Sequence, residues 1–134
     1  VPLLVRWPGH VPATKVSHHI CSFQDIFPTM LEIAKVKTKH KSDGISMAPT
    51  LLDKKDQKQH DYLYWEFEEQ GGSRAVLKGN WKGIRRNTKK NPNAPIEIYN
   101  IDNDIAETTN LAATEKTLVE EFKLVLKREH DSQR

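Results

Sequence analysis

A single cysteine in 134 residues leaves no partner for an intrachain disulfide, so packing and hydrogen bonds must hold the fold, and cysteine usage says nothing of the redox compartment. Long apolar runs are missing as well. No stretch approaches the ~18–20 residues that a membrane-crossing helix requires, and no membrane partner is expected. Apolar residues make up 37% of the chain, below the usual share of roughly 45–50%, which predicts a thin core. Neither charge sign dominates: 21 Lys and Arg against 18 Asp and Glu leave +3, too little by itself to imply nucleic acid. Internal repeats and low-complexity tracts are absent. Three Trp, three Tyr and four Phe are present, several of them in periodic apolar segments, and they exclude a wholly disordered chain.

Residues 1–7, Val-Pro-Leu-Leu-Val-Arg-Trp, form an apolar run of strand length that ends at Pro8-Gly9, the kind of run that is buried on both faces of a parallel sheet. Such a strand needs neighbours reached by long crossovers. It is expected to belong to a larger sheet, and to self-associate if left unpaired. Residues 22–36 read as a helix: Phe23, Ile26, Phe27, Met30, Leu31 and Ala34 make one apolar stripe, Ser22 with Asp25 resembles a capping box, and Pro28 is expected to kink the second turn. The loop at 35–42, with Lys35, Lys37, Lys39 and Lys41, is solvated. Asp43-Gly44-Ile45-Ser46 makes a turn, and residues 47–52 one helical turn.

Beyond a polar connector at 53–61 the pattern changes. Residues 62–67, 74–77, 81–85 and 96–101 have strand character, and Lys78-Gly79-Asn80 is a hairpin signal. Residues 115–128 place Leu118, Val119, Phe122, Val125 and Leu126 on one helical face, with Thr114 as N-cap. The expected fold is α+β: a small antiparallel sheet of about four strands packed on a C-terminal helix, preceded by one strand and helix. The expected division is 1–52 and 53–134.

Few side chains suggest chemistry. Asp102-Asn103-Asp104 begins like a calcium loop but has Glu107 where that loop requires Gly. Adjacent His18 and His19 point apart and lack a third ligand at fitting spacing. Cys21 stands just before a helix N-terminus, where a thiolate would be favoured, but no base partner can be named, and a small buried thiol is expected. Lys35 to Lys41, and Arg85-Arg86 with Lys89-Lys90, could grip phosphates and otherwise read as solvated faces. In Glu66-Phe67-Glu68-Glu69-Gln70-Gly71-Gly72, carboxylates and an amide precede a Gly pair that would let backbone approach a ligand; a charged hairpin loop is the other reading.

Six motifs occur in order: residues 1–9 as quoted, Ser22-x-x-Asp25-x-x-Pro28-Thr29, Asp43-Gly44-Ile45-Ser46, Tyr64-Trp65-Glu66-Phe67 with Glu69-Gln70-Gly71-Gly72, Gly79-Asn80-Trp81-Lys82, and Glu107-x-x-Asn110-Leu111-Ala112. In this arrangement the chain resembles the C-terminal region of formylglycine-dependent type I sulfatases, bacterial arylsulfatases in particular. The resemblance implies that residues 1–52 are a strand and helix of an alkaline-phosphatase-like α/β domain, and that 53–134 form the smaller antiparallel subdomain. It implies sulfate-ester hydrolysis, with sulfated carbohydrate as substrate, for a longer parent. Calcium and a formylglycine made from a Cys/Ser-x-Pro-x-Arg motif are expected in that parent. Neither cofactor is expected here, where Cys21 is followed by Ser-Phe-Gln. Partners implied are the remainder of the sulfatase chain and a sulfated saccharide, not nucleic acid, in a periplasmic or secreted setting.

By the same resemblance Glu68, Glu69, Gln70, Gly71 and Gly72 lie at the rim of the substrate cleft, although relatives often have His at position 68, Arg at 77 and Asp at 18. Asp25, Asp43, Trp81 and Asn110 are expected to serve structure, as a cap, a turn, a packing residue and a loop bond. The alternative is an independent basic α+β module that binds nucleic acid or another polyanion.

Overall fold

The computed structural model describes residues 2–132. They fall into two compact units, one running to His60 and the other starting at Asp61.

The first unit carries a 3-10 turn, Phe23–Asp25, which runs into α1, Ile26–Ile33, and a short α2, Ala48–Leu51. Because α1 begins at Ile26, Pro28 falls in the first helical turn, where backbone N–H groups have no intrahelical acceptor; the expected kink is not required. The apolar stripe is not buried as its spacing suggests. Phe23 is 91% exposed and Phe27 and Met30 are about half exposed, whereas Asp25 and Thr29 are completely buried. The segment that follows supplies hydrogen-bonding groups as well as the buried apolar side chains of Met47 and Ala48. Asp25 accepts from the Ser22 amide (2.7 Å), the Ile45 amide (2.7 Å) and His60 Nε2 (2.8 Å). The Thr29 hydroxyl donates to the Asp25 carbonyl and accepts from the Met47 amide. Asp25 is thus the hub of the unit and not merely a cap.

Val1 lies outside the described residues, and residues 2–6 form no strand. A strand exists only where a neighbour pairs with its backbone, and no described segment pairs with this one. Leu4 is 91% exposed. Trp7 instead closes a turn, its carbonyl accepting from the His10 and Val11 amides while its ring stacks on His10.

The second unit is a four-stranded antiparallel meander, β1 Leu63–Phe67, β2 Ser73–Lys78, β3 Trp81–Arg86 and β4 Ile96–Asn100, followed by α3, Lys116–Ser132. The β2–β3 hairpin turns on Gly79-Asn80, with Gly79 at φ +55°, a conformation that glycine adopts without steric cost. Val76, Ile96 and Ile98 on the sheet pack against Phe122 and Leu126 of α3, and Leu118, Val119 and Val125 flank them. All five apolar positions expected on this helix therefore face the core. Phe122 lies on Gly83: a Cβ there would be 2.3 Å from the Phe122 ring, so the helix can approach β3 only over glycine. Asn110 Oδ1 accepts from the Ile98 and Ala112 amides, the expected loop bond. Thr114 is not the N-cap; its hydroxyl donates to the Leu111 carbonyl.

Candidate functional site

Residues 68–72 join β1 to β2. Glu68, Glu69 and Gln70 are exposed, and Gln70, Gly71 and Gly72 all have positive φ. The glycines have a packing role within the fold. Gly72 and Gly71 carbonyls accept from the Thr88 and Lys89 amides of the β3–β4 loop. A Cβ on Gly72 would stand 2.4 Å from Thr88 Oγ1. The space that glycine leaves is filled by this neighbouring loop, and the loop pair holds Glu68, Glu69 and Gln70 at the surface. Glu68 faces Lys89 Nζ at 3.6 Å.

A polar row crosses the helix-covered face of the sheet at the same end. Register places Glu66 opposite Arg74 and Arg74 opposite Arg85. Arg74 Nε donates to Glu66 Oε1 at 3.0 Å, and its Nη2 donates to His130 Nε2 at 3.0 Å. With Nε2 accepting, the ring proton sits on Nδ1, which donates to Glu66. Tyr64 donates to the same carboxylate at 2.6 Å. Burial on its own would raise Glu66, but the hydrogen bonds from Tyr64, His130 and Arg74, with the Arg74 charge, hold it down at about 2. Burial first, and then the bond to Glu66, push the Tyr64 hydroxyl well up.

Arg85 has no such support. It is 9% exposed, Nη1 donates to the Pro92 carbonyl at 2.9 Å, and Nε is buried without a partner. Both Arg74 and Arg85 open onto a cleft of about 730 Å³, bounded also by Glu68, Lys89, Lys123 and Lys127. Of the expected basic cluster, then, only Arg85 and Lys89 reach this cleft. Arg86 points to the other face and pairs with Glu97. Sequence reading missed Arg74 and His130. The signals were there: Arg74 is in phase with Val76 on β2, and His130 extends the Phe122 and Leu126 stripe by one more turn, beyond the expected helix end at 128.

The other candidates do not converge. Burial, then the nearby Asp25 charge, raise the Cys21 thiol, which fits an inert thiol and not a nucleophile. His18 is exposed, whereas both ring nitrogens of His19 are buried without hydrogen-bond partners. Asp104 is occupied by the Thr108 and Thr109 amides and the Thr108 hydroxyl. Among the described residues no three His, Cys, Asp or Glu side chains gather as metal ligands. Neither calcium nor formylglycine fits the residues present, and no chemistry is assigned through them.

Comparison with known proteins places this arrangement. Residues 1–133 match the family described as N-sulphoglucosamine sulphohydrolase, C-terminal. The ulvan-active sulfatase of Formosa agariphila is 28% identical over 144 residues, covering 84% of this chain and 29% of that protein. The solved structure of Ps i-CgsB superposes with a TM-score of 0.73 at 27% identity, over 95% of this chain and 27% of that one. A 2-O GAG sulfatase superposes with a TM-score of 0.62 at 28% identity, over 78% of this chain and 23% of that one. The chain therefore spans less than a third of each relative. With the sheet and the C-terminal helix as described, it belongs to the family of sulfatase C-terminal domains defined by N-sulphoglucosamine sulphohydrolase.

Proposed function

We propose that this chain is the C-terminal part of a longer sulfatase that hydrolyses sulfate esters of saccharides, and that residues 68–72 form part of its substrate rim. The observation that carries this reading is the family match over residues 1–133 in a chain that spans only 29% of its ulvan-active relative. Calcium and formylglycine then belong to the remainder of the protein, which works in a periplasmic or secreted setting. That remainder is also the partner for the first unit. Leu4, Phe23, Phe27 and Met30 leave apolar surface in water, and contiguous apolar patches of more than a few hundred Å² mark interaction sites.

The rim role is supported by the loop itself. Two backbone bonds from the β3–β4 loop fix it, while its three polar side chains remain exposed. Contacts remote from the reacting bond act on substrate choice more than on the chemistry. In the full-length enzyme, Glu69→Ala and Gln70→Ala are expected to lower kcat/KM for a sulfated oligosaccharide about tenfold and to leave a small aryl sulfate within about twofold. Steady-state kinetics on both substrates checks this; equal losses on the two would assign the loop to folding alone.

A further inference from the structure

We propose that the cleft between the β3–β4 loop and the last turns of α3 binds an oxyanion, a carboxylate or sulfate, carried on the saccharide chain. This rests on the saccharide reading above and names a feature of the substrate that the rim would meet. The starting point is the cross-strand pair Arg74 and Arg85. Like charges directly opposite one another on a sheet face repel, and each of these residues is only 9% exposed. Glu66 neutralises Arg74. No carboxylate stands within ion-pair distance of Arg85 among the described residues, and its only hydrogen bond goes to a carbonyl. A buried cation without a counter-charge is costly, so natural structures pair it. Arg85 lines a cleft, where an anion from outside can complete the pair. The planar guanidinium fork suits a carboxylate or sulfate and takes it with two parallel bonds.

The cleft has the size of a small-ligand site. Lys89, Lys123 and Lys127 stand around it. Glu68 answers Lys89 and Glu120 answers Lys123 at 2.6 Å, so among the described residues Arg85 and Lys127 supply the unanswered charge. The acids that line the cleft, Glu68, Glu120 and Asp131, oppose a continuous run of phosphates. His130 is the only aromatic ring among the lining residues, and Glu66 and Arg74 hold it in the row, so no platform for base stacking is offered. These features favour an acidic saccharide over a nucleic acid.

Calorimetric titration of the 134-residue chain tests the proposal with four probes: a heparin-derived tetrasaccharide, a neutral tetrasaccharide, inorganic sulfate, and a single-stranded DNA of matched charge. The acidic tetrasaccharide is expected to bind, the neutral one not. Arg85→Gln and the exposed Lys127→Ala are each expected to weaken that binding at least tenfold. Melting separates binding from folding, since Arg85→Gln removes an uncompensated charge and should leave the melting temperature unchanged or raised. If Arg85→Gln fails to fold, Lys127→Ala still decides. Tetrasaccharide affinity untouched by the substitutions would overturn the proposal, as would inorganic sulfate binding equally tightly or DNA binding more tightly. The sulfatase reading fails separately, if the full-length protein does not release sulfate.

Discussion

Asp25→Ala is expected to destabilise the first unit by about 3–5 kcal/mol, since one deletion leaves two backbone amides and a histidine ring without their acceptor. The carboxylate is completely buried and joins its own turn, through the Ser22 amide, to two segments remote in sequence, through the Ile45 amide and His60 Nε2, at 2.7, 2.7 and 2.8 Å. Little fully buried apolar packing is available to compensate: among the described residues of the unit it comes from Met47 and Ala48, while Phe27 and Met30 of α1 are about half exposed. A loss of this size is a large fraction of the roughly 5–15 kcal/mol that holds an ordinary domain together. Hydrogen exchange checks it, with the amides of β2 and β3 as an internal reference. Protection at Ser22 and Ile45 is expected to collapse while the reference amides hold; unchanged protection at Ile45 would show that the hub is dispensable.

The second large effect depends on pH. Glu66 has a folded-state pKa of about 2 against an ordinary 4.5. A carboxylate depressed by folding contributes stability that is present above its unfolded pKa and lost as pH falls through the folded one. The second unit should therefore lose ~3 kcal/mol from this residue between pH 4.5 and 2. In Glu66→Gln the contribution is absent at neutral pH, so the variant is less stable there and its acid slope is shallower by that amount. Denaturant melts of both proteins across this window measure the difference. Parallel slopes would mean that the bonds from Tyr64, His130 and Arg74 do not act on the ionised form.

What could be read from the sequence follows from where each residue's energy comes from. The sheet and α3 were legible because their signals are local and redundant: alternation in β4, a glycine turn between β2 and β3, and a five-residue stripe on α3 all agree with the packing that forms. Gly83 could not be read as the seat of Phe122, since that contact joins residues 39 apart. The stripe of α1 was legible as helix, but the exposure of Phe23, Phe27 and Met30 was not, because burial depends on what lies opposite. Residues 2–6 show the same limit in a strand, whose identity depends on a pairing partner. In the candidate site the rim loop was visible through its glycines, but their contact with the loop at Thr88 and Lys89 was not, since it joins segments distant in sequence. The Arg74–Arg85 pair was invisible, since register across two strands decides it. Arg85 and Arg86 look alike in sequence, yet one is buried over the cleft and the other is paired with Glu97 at the surface.

The most direct measurement is sulfate release, followed on a sulfated oligosaccharide and on a small aryl sulfate, for the full-length protein and for the 134-residue chain side by side with calcium present. The full-length protein is expected to release sulfate from both substrates and the 134-residue chain from neither, since the groups that would perform the chemistry do not converge among its described residues. Turnover by the 134-residue chain that survives repurification, or a full-length protein that releases no sulfate from either substrate, would contradict the assignment of this chain as the scaffold and rim of a sulfatase.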